Sequence, residues 1–568
     1  MRPAGRGPLD SLYFTYPLFE AERAPELNGG DNRHPVIIVG AGPIGMTAAL
    51  VLAGYGVRSI VIDRKNTFND GSRATCIARP SMHIFERIGA VKPFIEKALG
   101  WRYGRSYYRS DQIFRLEMPH PDGEKYLPMY NLQQQYTEKF LHDAVAASPL
   151  IDMRWQTVIT GLTSRADGAT LDLASPHGSY PIEAEYVLAA DGARSAVRSM
   201  LGLRLSGENY EGKYVIADVR MEHDFPTERR AFFEPASNPG GTVLIHKQPE
   251  NIWRIDYQLR EGESEEEALR EETIRARVGA ILADIGHDKT WELEWWSIYS
   301  ANTLLLDDYR QDRIFFIGDS AHIVPIFGVR GLNNGLADAH NIGWKLGLVL
   351  STGADESLLD SYSPERRGAT LDVFENATKS TRFMTPPTRG WRLARDAALS
   401  LSLKHAFPRG LANPRQMQPY TYSASPLTPY SNRDKAFSGG PASGSAAPNA
   451  KLAQAGSEKP SYLLDHLGLG LTAFVFSDGQ LSKDQKTILE KLSDLDPHFK
   501  ALIAGPVEVP ASPHWIHDSD GAIARIYGAK AGALYLLRPD FHIAGRWNAI
   551  ETDEILHTAR LCMGRLAA

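Results

Sequence analysis

A glycine-rich turn near the start of the chain has the residue types and the spacing needed to hold a phosphate. An apolar run at 35–39 precedes it and a helix-like run at 46–53 follows it, so the pattern predicts strand, turn and helix. Glycines spaced Gly-x-Gly-x-x-Gly permit a tight turn, a close backbone approach to a pyrophosphate, and close packing of helix on strand. The candidate binding residues in this turn are Gly40, Gly42, Pro43, Ile44 and Gly45.

Carboxylates at the ends of apolar runs are the next candidates. Asp63 ends a second short strand, 18 residues after Gly45, where it can accept hydrogen bonds from a ribose diol, and Arg64 follows it. Asp191 and Asp319 each stand beside a glycine at the end of an apolar run. A carboxylate in that position can bind sugar or ribityl hydroxyls, because the glycine lets a ligand approach the backbone. The alternative for Asp191 and Asp319 is a turn or a helix N-cap.

Several domains are needed to position these residues. A chain of 568 residues predicts about three to five domains, and 43% apolar with 23% charged residues is typical of a globular protein. Residues 35–62 open a strand-helix-strand unit. Alternation in period two between 213 and 259 predicts a mostly antiparallel sheet inserted as a second domain.

Composition excludes several classes of function. The net charge of −6 gives no electrostatic reason to expect nucleic acid or an anionic membrane as a partner, and favours a small, uncharged or partly apolar ligand. The two cysteines, Cys76 and Cys562, lie too far apart in sequence for a CxxC pair, so we expect no disulfide framework, no metal site and a cytoplasmic setting. No apolar run is long enough to cross a membrane, and residues 1–35 contain no apolar segment typical of a secretory signal, so we expect neither a membrane span nor export by that route.

These patterns predict an α/β protein with three domains. We expect an N-terminal arm at 1–34, a discontinuous Rossmann-like domain at 35–110, 130–205 and 300–408, a mostly antiparallel β-sheet domain at 111–129 and 206–299, a Pro/Gly/Ser-rich connector at 409–460, and a C-terminal α/β unit at 461–568.

Five motifs in this order resemble those of the class A flavoprotein aromatic hydroxylases, the family of phenol 2-monooxygenase and 3-(3-hydroxyphenyl)propionate hydroxylase. The motifs are the glycine-rich turn, residues 71–78, residues 131–134, Asp191-Gly192, and Gly318-Asp319 with its continuation to Gly335. The resemblance covers nearly the whole chain. It implies that the Rossmann-like domain binds FAD, that the β-sheet domain binds substrate, and that the C-terminal unit is thioredoxin-like without the redox cysteine pair.

The resemblance also implies roles for residues that hold the ADP half and the ribityl chain of FAD. Asp63 would bind the adenosine ribose, and Arg73 and Gln134 would contact the phosphates and the ribityl region. Gly318 and Asp319 would bind the pyrophosphate and ribityl chain. Asp191 lies in a motif that the family uses for both FAD and the nicotinamide donor.

At the flavin ring, the resemblance places Pro325 beside the isoalloxazine. Gly331, Leu332 and Asn333 open a helix whose N–H groups would face its pyrimidine side, where the positive end of the helix dipole stabilises reduced, anionic flavin. Arg330 departs from the family, which more often has glutamine there. It would bind the flavin phosphate, the nicotinamide donor or an acidic substrate, and the sequence leaves these three open.

The reaction implied is hydroxylation of a phenolic or other electron-rich aromatic ring, with NADH or NADPH as electron donor and O₂ transferred through a C4a-hydroperoxyflavin. An FAD-dependent oxidoreductase without oxygen transfer is the alternative. The partners expected are the small aromatic substrate and O₂, and a homodimer is compatible with the family. His246, Arg254 and Asp256 on the inserted sheet, with Pro325, are the candidate catalytic residues, and the alternative for the three polar side chains is a solvent-facing position.

Overall fold

The computed structural model describes residues 1–260, 262–325, 328–412, 418–452, 460–507 and 515–565. The strands in these ranges are β1 Arg33–Val39, β2 Ser59–Asp63, β3 Cys76–Ala78, β4 Leu99–Trp101, β5 Tyr103–Tyr108, β6 Asp111–Glu117, β7 Met129–Asn131, β8 Ile151–Trp155, β9 Val158–Arg165, β10 Gly168–Ser175, β11 Gly178–Ala189, β12 Ser206–Arg220, β13 Arg229–Phe233, β14 Thr242–Lys247, β15 Ile252–Gln258, β16 Glu292–Leu305, β17 Arg310–Gln311, β18 Ile314–Phe316, β19 His322–Ile323, β20 Lys451–Leu452, β21 Ser461–Tyr462, β22 Thr472–Phe476, β23 Lys500–Gly505, β24 Trp515–His517, β25 Leu534–Leu537 and β26 Ile543–Trp547.

The α-helices are α1 Pro43–Gly54, α2 Arg79–Arg87, α3 Val91–Lys97, α4 Gln134–Ala146, α5 Ala196–Met200, α6 Glu265–Ala268, α7 Glu271–Asp284, α8 Gly331–Thr352, α9 Tyr362–Met384, α10 Arg389–Ser402, α11 Lys483–Leu495, α12 Ala522–Tyr527 and α13 Thr552–Cys562. In the described part of the chain, no helix combines the length and the apolar character that a membrane crossing requires. The elements form a mixed α/β fold.

The first sheet carries the glycine-rich turn at one edge. Its strands run in the order β17-β18-β11-β1-β2-β8, with the hairpin β9-β10 attached to β11. Strand β1 is parallel to both β2 and β11, and β18 is parallel to β11. Because the carboxyl ends of parallel strands meet at one edge, the residues that follow β1, β2, β11 and β18 are brought together there.

Helix α8 is held close to α1 by glycines on its inner face. A Cβ added to Gly343 would lie 2.6 Å from Val51 Cγ1, and one added to Gly347 would lie 2.6 Å from the Tyr55 ring. Side chains at these positions would therefore push the two helices apart. This close packing fixes the N-terminus of α8 relative to the glycine-rich turn, since α1 begins directly after that turn.

The second sheet is antiparallel except for one pair, in the order β19-β16-β12-β15-β14-β13-β5-β6. One face packs on α7 through an apolar cluster that includes Val215, Trp253 and Ile255. Its boundaries differ from the predicted ones. Strand β5 (103–108) pairs with β13, whereas the sequence predicts that 35–110 belongs to the first domain, and β16 continues to Leu305, beyond the predicted boundary at 299. Half of the β5 side chains are only partly buried, so the local pattern does not reveal which sheet the strand joins.

The N-terminal arm is tied to the second sheet by one buried carboxylate. Glu294 on β16 accepts hydrogen bonds from Arg2 Nη1 at 2.6 Å, from Ser11 Oγ at 2.6 Å and from the Leu12 N–H at 2.9 Å. Arg2 and Glu294 are both almost completely buried. The arm therefore packs against the sheet as an integral part of it.

The C-terminal unit has a five-stranded sheet in the order β24-β23-β22-β25-β26. Strands β22, β23 and β24 are parallel, and β25 and β26 are antiparallel to their neighbours. Part of the connector lies along β26: Gly444 donates to the Ile543 carbonyl at 2.7 Å and Ile543 donates to Ser445 at 2.9 Å. The segments 413–417 and 453–459 of the connector lie outside the described residues.

A buried ionic cluster joins the C-terminal unit to the first domain. Glu365 on α9 pairs with Lys345 Nζ on α8 at 2.7 Å and with Arg538 Nη1, beyond β25, at 2.5 Å. Arg538 also pairs with Asp540 at 2.6 Å. Burial raises the pKa of Glu365, but the two cations outweigh it and hold that pKa well below its usual range. Burial likewise lowers the pKa of Lys345, to about 8.

Candidate active site

A cavity of about 940 Å³ lies between the carboxyl edge of the first sheet and the cavity-facing side of the second sheet. The candidate cofactor-binding residues and the candidate catalytic residues both contribute to its wall. The wall contains Gly40, Gly42, Pro43, Ile44, Asp63, Arg64, Arg73, Gln134, Asp191, His246, Arg254, Asp256, Asp319, Pro325, Arg330, Gly331, Leu332 and Asn333. Gly45 and Gly318 do not line it.

The glycine-rich turn combines tight packing on one side with open space on the other. A Cβ on Gly40 would lie 2.4 Å from the Ala190 carbonyl oxygen, and one on Gly45 would lie 2.0 Å from the Gly40 carbonyl oxygen. Gly45 thus allows the helix to approach the turn, which explains its absence from the wall. A Cβ on Gly42 would meet no atom within 4 Å. Gly42 is the N-cap of α1, so this space lies at the positive end of the helix dipole.

Asp63 braces the turn and also faces the cavity. Its Oδ2 accepts the Ala41 N–H at 2.9 Å and its Oδ1 accepts the Lys65 N–H at 2.9 Å. A carboxylate has about four lone-pair sites, so each oxygen retains capacity for a ribose hydroxyl. Arg64, next along the chain, is exposed at the same wall.

Asp191 and Asp319 provide two acceptors that the described residues leave incompletely satisfied. Asp191 Oδ2 accepts the Val197 N–H at 3.1 Å in the first turn of α5, which is the helix-capping role considered as the alternative. Its Oδ1 is buried without a hydrogen-bond partner among the described residues. Asp319 is exposed to the cavity it lines, while the surrounding protein desolvates its carboxylate and raises its pKa.

The segment 71–78 forms the wall between the two sheets. Gln134 Oε1 accepts the Ala74 N–H at 3.2 Å, and Gln134 Nε2 donates to Glu138 at 2.7 Å, so this side chain braces the segment. Arg73 has a left-handed backbone (φ 40°) and pairs with Asp70 at 3.0 Å. Its guanidinium is exposed at the cavity wall.

The N-terminus of α8 borders the cavity at Gly331, Leu332 and Asn333. The Asn333 side chain fixes the neighbouring chain, since its Oδ1 accepts the Ala78 N–H at 2.8 Å and the Ser81 hydroxyl at 2.7 Å. Asn333 therefore contributes its backbone to the cavity, with the helix dipole directed there. Gly318 lies behind this helix. A Cβ on Gly318 would lie 3.1 Å from Ile44 Cγ1, so the glycine allows the backbone to pack closely against that side chain. Arg330 is buried at the same wall, and that burial lowers its pKa.

The polar candidates of the second sheet face the cavity in adjacent rows. His246 lies opposite Arg254, and Leu244 lies opposite Asp256. Arg254 Nε donates to Asp256 Oδ1 at 2.8 Å, and Arg254 Nη1 donates to the Arg73 carbonyl. All three residues are more than nine-tenths buried, so the solvent-facing alternative is wrong. Burial lowers the pKa of His246 well below its usual range, and Arg229 and Arg254 lower it further.

Four residues of this face were missed by the sequence analysis: Arg229, Asp218, Trp295 and Tyr299. The first row across the sheet reads Arg229, His246, Arg254, Asp218, Trp295 in register. Burial raises the pKa of Asp218 to about 7, and Arg254 opposes that increase. Period-two alternation identifies the faces of each strand, but it does not reveal the cross-strand register that assembles this row.

The chemistry of the wall fits FAD. A dinucleotide needs acceptors for its sugar and ribityl hydroxyls, N–H groups for its pyrophosphate, and room beside both. Asp63, Asp191 and Asp319 supply acceptors on one edge, and the open space at Gly42 faces the N-terminus of α1. The Asp191 Oδ1 that lacks a partner among the described residues is an acceptor that a bound hydroxyl would satisfy.

Comparison with known proteins agrees with this reading of the fold. The model of the family described as FAD binding domain matches residues 33–377, and the chain belongs to that family. A 3-(3-hydroxy-phenyl)propionate/3-hydroxycinnamic acid hydroxylase of Mycolicibacterium smegmatis is 26% identical over 533 residues, covering 90% of each chain. A protein of the same name from Paraburkholderia xenovorans is 26% identical over 363 residues, covering 64% of this chain and 57% of the relative.

Solved structures show the same fold. The flavin-dependent monooxygenase PieE, solved with FAD and substrate, has a TM-score of 0.78 at 21% identity and covers 94% of this chain and 99% of its own. Aklavinone-11 hydroxylase, solved with FAD and aklavinone, has a TM-score of 0.72 at 21% identity, with 94% and 100% covered. The fold shared with these two structures therefore extends over nearly the whole chain.

Proposed function

We propose that this protein is an FAD-dependent monooxygenase that hydroxylates a phenolic or other electron-rich aromatic ring with NADH or NADPH and O₂. The observation that carries the proposal is one continuous cavity with two chemically different walls. One wall offers acceptors and helix N-termini suited to FAD, and the other is a buried sheet face with His246, Arg254 and Asp256. The names of the curated relatives support the same class of reaction.

We assign the FAD site to the first wall. Asp63 would bind the adenosine ribose, and the N-terminus of α1 with the space at Gly42 would hold the pyrophosphate. Asp319, Gln134 and Arg73 would contact the ribityl chain and the phosphates. The backbone at 331–333 would face the pyrimidine side of the ring, with Pro325 beside it.

FAD, when bound, supplies the redox chemistry, namely acceptance of electrons from NAD(P)H and transfer of one oxygen atom of O₂. The protein contributes orientation of the ring, exclusion of water and control of a proton. His246 is neutral because of its burial, so its imidazole can accept a hydrogen bond from a substrate hydroxyl and orient that hydroxyl in the cavity. The Arg254–Asp256 pair lies on the neighbouring strand β15 and holds the Arg254 guanidinium at the cavity wall.

For the C-terminal unit we propose a thioredoxin-like fold with a structural role. Its support is the sheet of three parallel strands and two antiparallel ones, and the ion cluster that anchors it to α8 and α9. Burial raises the pKa of Cys562, its only cysteine, to about 12, so that thiol is held protonated. With so few cysteines we propose a cytoplasmic setting.

The test is a panel of phenols and hydroxylated aromatic acids, with the purified protein, FAD and either NADH or NADPH. We expect substrate-stimulated NAD(P)H oxidation with a product heavier by one oxygen. Stimulated oxidation of NAD(P)H with an unchanged aromatic would instead support an oxidoreductase on the same scaffold. We also expect Asp319→Ala to purify with little flavin, and normal yellow colour and activity in that variant would refute the FAD assignment.

A further inference from the structure

One cation in the cavity wall has no counter-charge in contact with it. Arg229 on β13 is 6% exposed and lines the cavity, yet it makes no side-chain hydrogen bond or ion pair with any described residue. Burial lowers the pKa of its guanidinium. An unpaired buried charge is costly, and proteins normally pair such groups or use them for a ligand.

The next residue shows that pairing is available on this strand. Arg230 points to the other side of β13, pairs with Glu228 at 2.5 Å and donates to Tyr107 at 3.0 Å. Glu228 also pairs with Arg105 at 2.8 Å. Of the two adjacent arginines, the one that faces the cavity is therefore the one that lacks a carboxylate in contact with it among the described residues.

The other charges of the cavity face leave an excess of positive charge. Asp256 pairs directly with Arg254 and also attracts Arg229 at longer range, so one carboxylate serves two arginines. His246, directly opposite Arg229 across the strands, is kept neutral by its burial. Asp218 hydrogen-bonds to Ser72 and has its pKa raised to about 7 by burial, which leaves it largely protonated in mildly acidic solution. A bound anion would therefore balance the excess positive charge in this part of the wall.

We propose that Arg229 binds the carboxylate of the substrate, which makes the substrate an aromatic acid. The inference rests on the proposed function, since it assigns the substrate end of the same cavity. A guanidinium presents parallel N–H donors that match a carboxylate in two hydrogen bonds, and in a water-poor cavity that pair is strong. The carboxylate would then fix the ring beside His246, on the neighbouring strand.

The first experiment measures binding to the FAD-loaded protein without NAD(P)H. The probes are 3-(3-hydroxyphenyl)propionate and its methyl ester, and the readout is the change in flavin absorbance. We expect Arg229→Gln to weaken binding of the acid by about 30-fold or more, and binding of the ester by less than about 3-fold. Arg229→Lys should recover part of the loss. Arg230→Gln, the matched control on the other face of the strand, should leave both affinities within about 3-fold.

Equal losses for acid and ester, or a loss of the acid below 3-fold, would overturn the inference. A second measurement needs no variant. In the wild-type protein, 3-phenylpropionate should compete with 3-(3-hydroxyphenyl)propionate at least about 10-fold better than 3-phenylpropionamide does. Equal competition by the acid and the amide would also overturn the inference. Failure here is distinct from failure of the proposed function. A protein that hydroxylates neutral phenols and ignores the carboxylate loses only the Arg229 inference, whereas one that hydroxylates no aromatic loses both.

Discussion

Substitution of Gly42 by alanine separates the stability of the glycine-rich turn from its capacity to hold a phosphate. Gly42 has φ −76° and ψ 177°, which alanine adopts without strain, and its added Cβ would meet no protein atom within 4 Å. Alanine restricts the conformations of the unfolded chain, which stabilises the folded variant by about 0.4–1 kcal/mol. Alanine is also a poorer helix N-cap than glycine, which destabilises the variant by roughly the same amount. The free energy of unfolding of the apoprotein should therefore change by less than about 1 kcal/mol.

FAD binding should respond quite differently to the same methyl group. The added Cβ occupies the space assigned to the pyrophosphate, and inserting a methyl group into a filled site costs about 1–3 kcal/mol. We therefore expect the Kd for FAD to rise about 5- to 150-fold. The assay is fluorescence titration of FAD with apoprotein, alongside thermal unfolding of the apoprotein.

A glycine outside the cavity provides the control. A Cβ on Gly279 in α7 also meets no atom within 4 Å, so Gly279→Ala should stabilise that helix by about 0.5–1 kcal/mol and leave FAD affinity unchanged. An unchanged Kd for FAD in the Gly42 variant would refute the placement of the pyrophosphate. A loss of several kcal/mol in apoprotein stability would show instead that the turn is packed differently.

Two further substitutions probe buried charge. Asp218→Asn should make the protein increasingly more stable than the wild type as pH rises from 5 to 7, by about 1.4 kcal/mol per pH unit, in urea titrations at each pH. Arg538→Met should destabilise the protein by about 3–5 kcal/mol, because it leaves Glu365 and Asp540 without their shared cation. The control is Arg525→Met, which replaces an exposed arginine of the same unit and should change stability by less than about 0.5 kcal/mol. Thermal unfolding measures the stability of both arginine variants.

The sign of the Asp218 prediction follows from the direction of its pKa shift. Burial raises the pKa of Asp218 to about 7, well above the ordinary value that it has in the unfolded chain. Between those two values the folded state keeps a proton that the unfolded state has released, so the wild type loses stability as pH rises. Asparagine carries no such proton. A constant difference between variant and wild type across this range would contradict the burial of a titrating carboxyl.

The sequence predicts which residues line the wall to which we assign FAD, because their arrangement follows from local rules. A strand, a glycine turn and a helix are adjacent in the chain, and the carboxyl ends of parallel strands must meet at one edge. That rule brings Gly40, Asp63, Asp191 and Asp319 together although they are far apart in sequence. Their individual roles in holding FAD stay predictions that the variants above test.

The cavity-facing side of the second sheet is only partly predictable from the sequence. Alternation places His246, Arg254 and Asp256 on polar faces, but whether such a face meets solvent or a cavity depends on what packs over it. Arg229 joins the row through its register with His246, and the pairing of Arg2 with Glu294 connects residues 292 positions apart. Neither kind of long-range contact is encoded in a local pattern.

The incorporation of labelled oxygen tests the central claim most directly. The purified protein, loaded with FAD and supplied with NAD(P)H and ¹⁸O₂, would be given a phenolic substrate that stimulates NAD(P)H oxidation. We predict a hydroxylated product that contains one ¹⁸O atom, with product formed in proportion to NAD(P)H consumed. A product without ¹⁸O, or consumption of NAD(P)H that yields only hydrogen peroxide for every aromatic in the panel, would contradict the assignment as an aromatic monooxygenase.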